Sequence, residues 1–110
     1  MTEVRILEAP AGTVVLKPTV TRLDAVAARD FRPGAVEAAK GRSLVILILE
    51  DVAFIDSTGL GCLVSILKAV TSGGQVRLVG IQPSVRALLA LTRLDRVFRS
   101  FDDLASALAA

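Results

Sequence analysis

Residues 43–61 read Ser43-Leu44-Val45-Ile46-Leu47-Ile48-Leu49-Glu50-Asp51-Val52-Ala53-Phe54-Ile55-Asp56-Ser57-Thr58-Gly59-Leu60-Gly61. The run from Ser43 to Leu49 is apolar without alternation, the pattern of a strand covered on both faces inside a mixed or parallel sheet. It is expected to be the central strand. Beyond Glu50-Asp51 the chain passes through Asp56-Ser57-Thr58-Gly59 and becomes helical, because Leu60, Leu63, Val64, Leu67 and Val70 recur at steps of three and four. Gly73-Gly74 closes that segment, so one helix is predicted over roughly Ser57 to Ser72. The junction of a strand exit with a helix start is also where open α/β sheets place ligand and effector sites.

The same rhythm continues on both sides. Downstream, Gln75–Val79 reads as a strand, and Pro83 suits the first turn of a helix running through Ser84 to Thr92. Val97-Phe98-Arg99-Ser100-Phe101 alternates like a short edge strand, and Asp102-Asp103 open a last helix through Leu104, Ala105 and Leu108. Upstream, Val4–Leu7 and Thr13–Lys17 flank the turn residues Pro10-Ala11-Gly12 and predict a β-hairpin. Ala25 to Lys40 predicts a helix with Val26, Phe31, Val36 and Ala39 inward, ended by Gly41. Pro33-Gly34 lies inside it and is expected to break or restart the helix. The expected order is β-β-α-β-α-β-α-β-α. It describes one α/β domain over residues 1–110, with a mixed, mostly parallel sheet of four or five strands and about four packed helices.

Composition narrows the function. A chain of 110 residues, 53% hydrophobic and 22% charged, folds around one core and is not a disordered segment. The apolar run at Leu44 to Leu49 is far shorter than the roughly 20 residues of a membrane span, so no membrane insertion is expected. The opening Met1 to Gly12 carries acidic residues and no basic leader, which points to a cytoplasmic protein. Thirteen basic and eleven acidic residues leave a net charge of +2, with no tyrosine or tryptophan to stack on bases. Arg86, Arg93, Arg96 and Arg99 are interrupted by Asp95, Asp102 and Asp103 and read as a solvated face, not a nucleic-acid site. Cys62, flanked by Leu60, Leu63 and Val64, reads as a small core residue. The absence of histidine removes Ser-His-Asp and Cys-His mechanisms and the common zinc sites, so no cofactor is expected.

The chemistry-bearing segment is Asp56-Ser57-Thr58-Gly59. In structural terms Asp56, Ser57 or Thr58 caps the helix, and Gly59 and Gly61 let it pack close to the sheet. Enzymatic signatures with similar letters do not fit. An aspartic protease needs Asp-Thr-Gly or Asp-Ser-Gly, but two residues separate Asp56 from Gly59, and Lys68 is too far along for a phosphate-binding loop. Glu50, Asp51 and Asp56 do not reproduce the clustered acids and lysine of a receiver domain. No hydrolase activity of its own is therefore expected, and the chain is read as not an enzyme.

Phe54-Ile55-Asp56-Ser57-Thr58-Gly59-Leu60-Gly61 resembles the Asp-Ser-Ser/Thr-Gly-Leu-Gly segment that follows a hydrophobic strand in anti-sigma factor antagonists of the STAS family. Arg22-Leu23-Asp24-Ala25 is similar to the family's element after the hairpin, Gly73 to Leu78 to its Gly-Gly-strand element, and Pro83 to Leu94 to the following helix. The four segments occur in family order. The resemblance implies a STAS fold and a phosphoacceptor at Ser57, with Thr58 as the secondary acceptor. By the same resemblance Asp24 lines the partner-binding surface with Asp56, Ser57, Thr58, Gly59, Leu60 and Gly61. The implied partner is an anti-sigma factor that is also a serine kinase; the unmodified chain binds it and releases a sigma factor in stress signalling. A PP2C-type phosphatase resets the switch, and the chain is expected to be a monomer or weak dimer. Within the same family a constitutive subunit docked on the ATPase of a membrane lipid transporter is the alternative, and it does not require phosphorylation of Ser57.

Overall fold

Both faces of the central strand are covered, which is why its sequence does not alternate. The computed structural model describes residues 4–7 and 10–110; part of the N-terminal opening and of the hairpin connection lies outside them. The described elements are β1 (Val4–Leu7), β2 (Thr13–Pro18), β3 (Arg22–Leu23), α1 (Ala25–Ala39), β4 (Leu44–Ile48), β5 (Phe54–Ile55), α2 (Ser57–Ala69), β6 (Gln75–Val79), α3 (Pro83–Leu91), a 3-10 turn (Leu94–Arg96), β7 (Arg99–Phe101) and α4 (Leu104–Ala109). Five strands form one sheet in the order β1-β2-β4-β6-β7, with β1 antiparallel to β2 and every other neighbour parallel. The expected mixed, mostly parallel sheet is present, and β4 is its middle strand.

Residue parity along β4 and its exit divides the core. Val45, Leu47 and Leu49 join Val14, Leu16, Val76 and Leu78 on the face covered by Phe31 of α1 and by Leu63 and Ile66 of α2. Ile46 and Ile48 join Val15 and Val79 on the opposite face, where α4 contributes Ala107. Arg77 is a buried cation among these residues. Its Nη1 donates to the Ala107 carbonyl at 2.8 Å, while Nε and Nη2 donate to Gln75 Oε1 at 3.3 and 3.1 Å. The guanidinium thus satisfies one of the last carbonyls of α4, which a helix end otherwise leaves free. Cys62 is a core residue, and burial pushes its thiol up to about 11. Among the described residues no helix is long and apolar enough to cross a membrane.

The expected break at Pro33-Gly34 does not occur: α1 runs unbroken from Ala25 to Ala39 with Pro33 inside it. Proline removes one amide and leaves the Arg29 carbonyl without its helical partner, but Arg29, Pro33 and Gly34 are all exposed, so the fault lies on the solvent side of the helix. Around them Ala27, Ala28, Phe31, Ala35 and Ala39 form a continuous buried face, and that burial outweighs the local penalty. Phe31 and Ala39 are inward as predicted, whereas Val26 is 67% exposed because Ala27 and Ala28 take the core positions. Replacing Pro33 with alanine is expected to raise stability by about 2 kcal/mol. The helix-interior gain is about 3 kcal/mol and the more flexible unfolded chain offsets about 1. Urea unfolding checks this, and a midpoint that stays put or falls contradicts it.

Two boundaries also move. α2 ends at Ala69, three residues before the expected stop, because Val70 turns extended and the Thr71 amide donates to the Arg42 carbonyl at 2.9 Å. The last strand starts at Arg99 and not Val97, since the Val97 and Phe98 amides both bond back to the Leu94 carbonyl.

Candidate functional site

The short strands β3 and β5 position the site. They pair in parallel, Arg22 beside Phe54 and Leu23 beside Ile55, apart from the main sheet. Each passes at the next residue into a helix, so Asp24 and Asp56 lie at adjoining helix starts. Both aspartates are extended N-caps. Asp24 Oδ1 accepts from the Ala27 amide at 3.1 Å and Asp56 Oδ1 from the Gly59 amide at 2.9 Å. Of the three possible caps of α2, Asp56 is therefore the one used. Ser57 and Thr58 occupy the first two helical positions with exposed side chains free of capping duty.

The two glycines differ. Gly59 is buried, and a Cβ there would overlap the Leu23 carbonyl oxygen and stand 2.8 Å from Ile55 Cγ2. Only glycine lets the first turn of α2 lie on β3. At exposed Gly61 an added Cβ meets nothing within 4 Å, so the close-packing role expected of both residues belongs to Gly59 alone. Leu60, between them, is half-buried and packs against the larger core.

The amide of Ala27 holds the Asp24 carboxyl below its ordinary value of 3.8, and the nearby Arg22 charge adds to this. Arg22 Nε lies 3.7 Å from Asp24 Oδ2, and its guanidinium sits 4.1 Å from the centre of the Phe54 ring. Glu50 and Asp51 are engaged elsewhere, by Lys17 Nζ at 2.6 and 3.8 Å. Among the described residues no group of three His, Cys, Asp or Glu side chains is placed to hold a metal ion. Ser57 offers an exposed hydroxyl with no basic side chain in hydrogen-bond contact among those residues. It can receive a group from another enzyme or lie against a partner, and among the described residues no base hydrogen-bonds to it.

A cavity of about 410 Å³, open to solvent, lies on α1 beside the start of α2, lined by Ala25, Ala28, Arg29, Arg32, Pro33 and Thr58. Arg29 and Arg32 are absent from the sequence-derived site. Their three-residue spacing on α1 is the available signal, since it puts both on one helix face. That α2 begins opposite that face depends on the long-range pairing of β3 with β5.

A family model described as the STAS domain matches residues 6–107. A Thermotoga neapolitana protein, named a candidate anti-sigma factor antagonist, is 43% identical over 70 residues. The match spans 63% of this chain and only 62% of that relative's length. The crystal structure of a candidate anti-sigma factor antagonist from Thermotoga maritima aligns with a TM-score of 0.79 and 31% identity, covering 98% of this chain and 92% of the other. Bacillus SpoIIAA in its phosphorylated form aligns with a TM-score of 0.66 and 18% identity over 92% of this chain and 93% of that one, a likeness of fold alone.

Proposed function

The chain belongs to the STAS domain family, and from that membership we propose that it is an anti-sigma factor antagonist whose binding surface is formed by the helix starts at Asp24 and Asp56. The unmodified chain binds an anti-sigma factor that is also a serine kinase, and so frees a sigma factor in the cytoplasm. Phosphate on Ser57 weakens that contact, and a PP2C-type phosphatase restores it. Gly59, Leu60 and Gly61 continue the contact surface along α2, with Thr58 beside the acceptor. The chain itself acts by binding, not by catalysis.

One observation carries the reading: Ser57 is exposed at the first position of α2 while Asp56 alone caps the helix. A phosphate there changes the surface without removing a contact that holds the fold. The names of the Thermotoga relatives and the existence of a phosphorylated protein with this fold support the proposal.

Phosphate adds about 1.5 to 2 negative charges next to Asp56. Against an acidic or closely packed partner face, one added charge at about 6 Å costs about 1 to 3 kcal/mol, or roughly a 5- to 150-fold loss of affinity. The test is affinity purification of the anti-sigma factor from the source cell, followed by its calorimetric titration with unmodified chain, chain phosphorylated at Ser57, and the Ser57→Ala variant. Ser57→Ala should bind like unmodified chain and escape control, whereas Ser57→Asp, with one charge, should weaken binding only in part. Equal affinity of the phosphorylated and unmodified chains at matched salt contradicts the proposal.

A further inference from the structure

The cavity on α1 beside the start of α2 has a charge that partner binding at the helix starts leaves unused. Its wall holds two cations, Arg29 and Arg32, and no carboxylate. Neither arginine takes part in an ion pair with a described residue. The neighbouring carboxylates of Asp24 and Asp56 are turned onto backbone amides as caps. Two like charges beside one cavity repel each other, and an anion between them relieves that repulsion. Ser57 and Thr58 are both exposed, but Thr58 lies on the same wall and Ser57, one residue earlier, does not.

We propose that this cavity is an anion site for a phosphate monoester carried in cis on Thr58 and held by Arg29 and Arg32, so that the two adjacent hydroxyls of α2 give different outputs when phosphorylated. The proposal rests on reading the α2 start as a modified surface. The ester forms when Thr58 Oγ1 attacks the γ-phosphorus of ATP bound to a protein kinase. The Oγ1–P bond forms, the bond from phosphorus to the β,γ-bridging oxygen breaks, ADP departs, and the hydroxyl proton passes to the kinase's base. Guanidinium groups bind phosphate through paired, charge-assisted hydrogen bonds. Two of them offset the charge the ester brings, so a phosphate at Thr58 alters the surface seen by a partner much less than one at Ser57.

The test needs no partner. Full-length chains bearing phosphothreonine at 58 or phosphoserine at 57 are made by semisynthesis and titrated by phosphorus NMR, with amide spectra confirming the fold. The second ionisation of the phosphate at 58 should lie about half to one pH unit below that at 57, because nearby cations favour the dianion. Arg29→Gln combined with Arg32→Gln, at two exposed positions, should raise the ionisation at 58 by about the same amount and leave that at 57, which lies beside Asp56, unchanged. Equal ionisation at the two sites overturns the proposal. An ionisation at 58 that stays where it is in the double variant also overturns it, because the arginines would then not hold the phosphate. A partner indifferent to phosphate on Ser57 would defeat the functional proposal above while leaving this result standing.

Discussion

Gly59→Ala is expected to destabilise the chain by about 3 kcal/mol or more, whereas Gly61→Ala, two residues on, is expected to stabilise it by about 0.5 to 1 kcal/mol. Helix propensity alone would make both substitutions favourable, so the opposite signs isolate the packing term. At position 59 the new Cβ meets the Leu23 carbonyl, a backbone group in the β3–β5 pair that no rotamer change can move. The same carbonyl accepts from the Asp56 amide at 3.4 Å. To relieve the overlap α2 must lift from β3, which breaks that bond and loosens the Asp56 cap on residue 59. Overpacking a flexible neighbour costs about 1 to 3 kcal/mol, and a rigid one belongs at or above the top of that range. At Gly61 the added methyl projects into open space on the helix. Urea unfolding of both variants beside the parent chain decides the matter. A Gly59→Ala variant within 1 kcal/mol of the parent would mean that the helix start does not depend on this close approach.

What was legible in the sequence was whatever a single element declares by itself. Ser43 to Leu49 announces a doubly covered strand because burial on both faces abolishes alternation, and the position of β4 agrees. The helix after Asp56 follows from its apolar spacing, and its expected start near Ser57 agrees with α2. The failures lie where distant contacts overrule a local rule. Pro33 is a helix breaker by local steric argument, yet the buried face through Phe31 and Ala35 carries the helix past it. Strands β3 and β5 have two residues each, too few to show periodicity, and depend on Thr21, whose carbonyl accepts from the Ala53 and Phe54 amides. Asp56, Ser57 and Thr58 are all capping residue types in a row, so only the fold distinguishes the cap from the exposed hydroxyls. That Asp24 shares a surface with Asp56 is implied only by family resemblance, and the parallel pairing of β3 with β5 is the physical reason the two helix starts adjoin. Arg29 and Arg32 carried no such cue.

Phe31→Ala is expected to cost about 3 to 5 kcal/mol, a large share of the 5 to 15 kcal/mol typical of a whole domain, while Phe31→Leu should cost about 1 to 1.5. The ring is fully buried in the larger core, so truncation loses its transfer energy and leaves a cavity under α1. The position also bears on Pro33, two residues later. The helix crosses the proline because its buried face anchors both halves, and Phe31 is the largest side chain of that anchor. With the ring removed, the interior proline becomes a break with less to oppose it. Pro33→Ala should therefore recover more stability in the Phe31→Ala background than in the parent chain, by more than the 0.3 to 0.5 kcal/mol within which independent sites usually add. Hydrogen exchange at the Ala35 to Ala39 amides should quicken in Phe31→Ala and slow again in the double variant. Strict additivity, with unchanged exchange beyond Pro33, would show that the remaining alanines of the buried face hold α1 together without the ring.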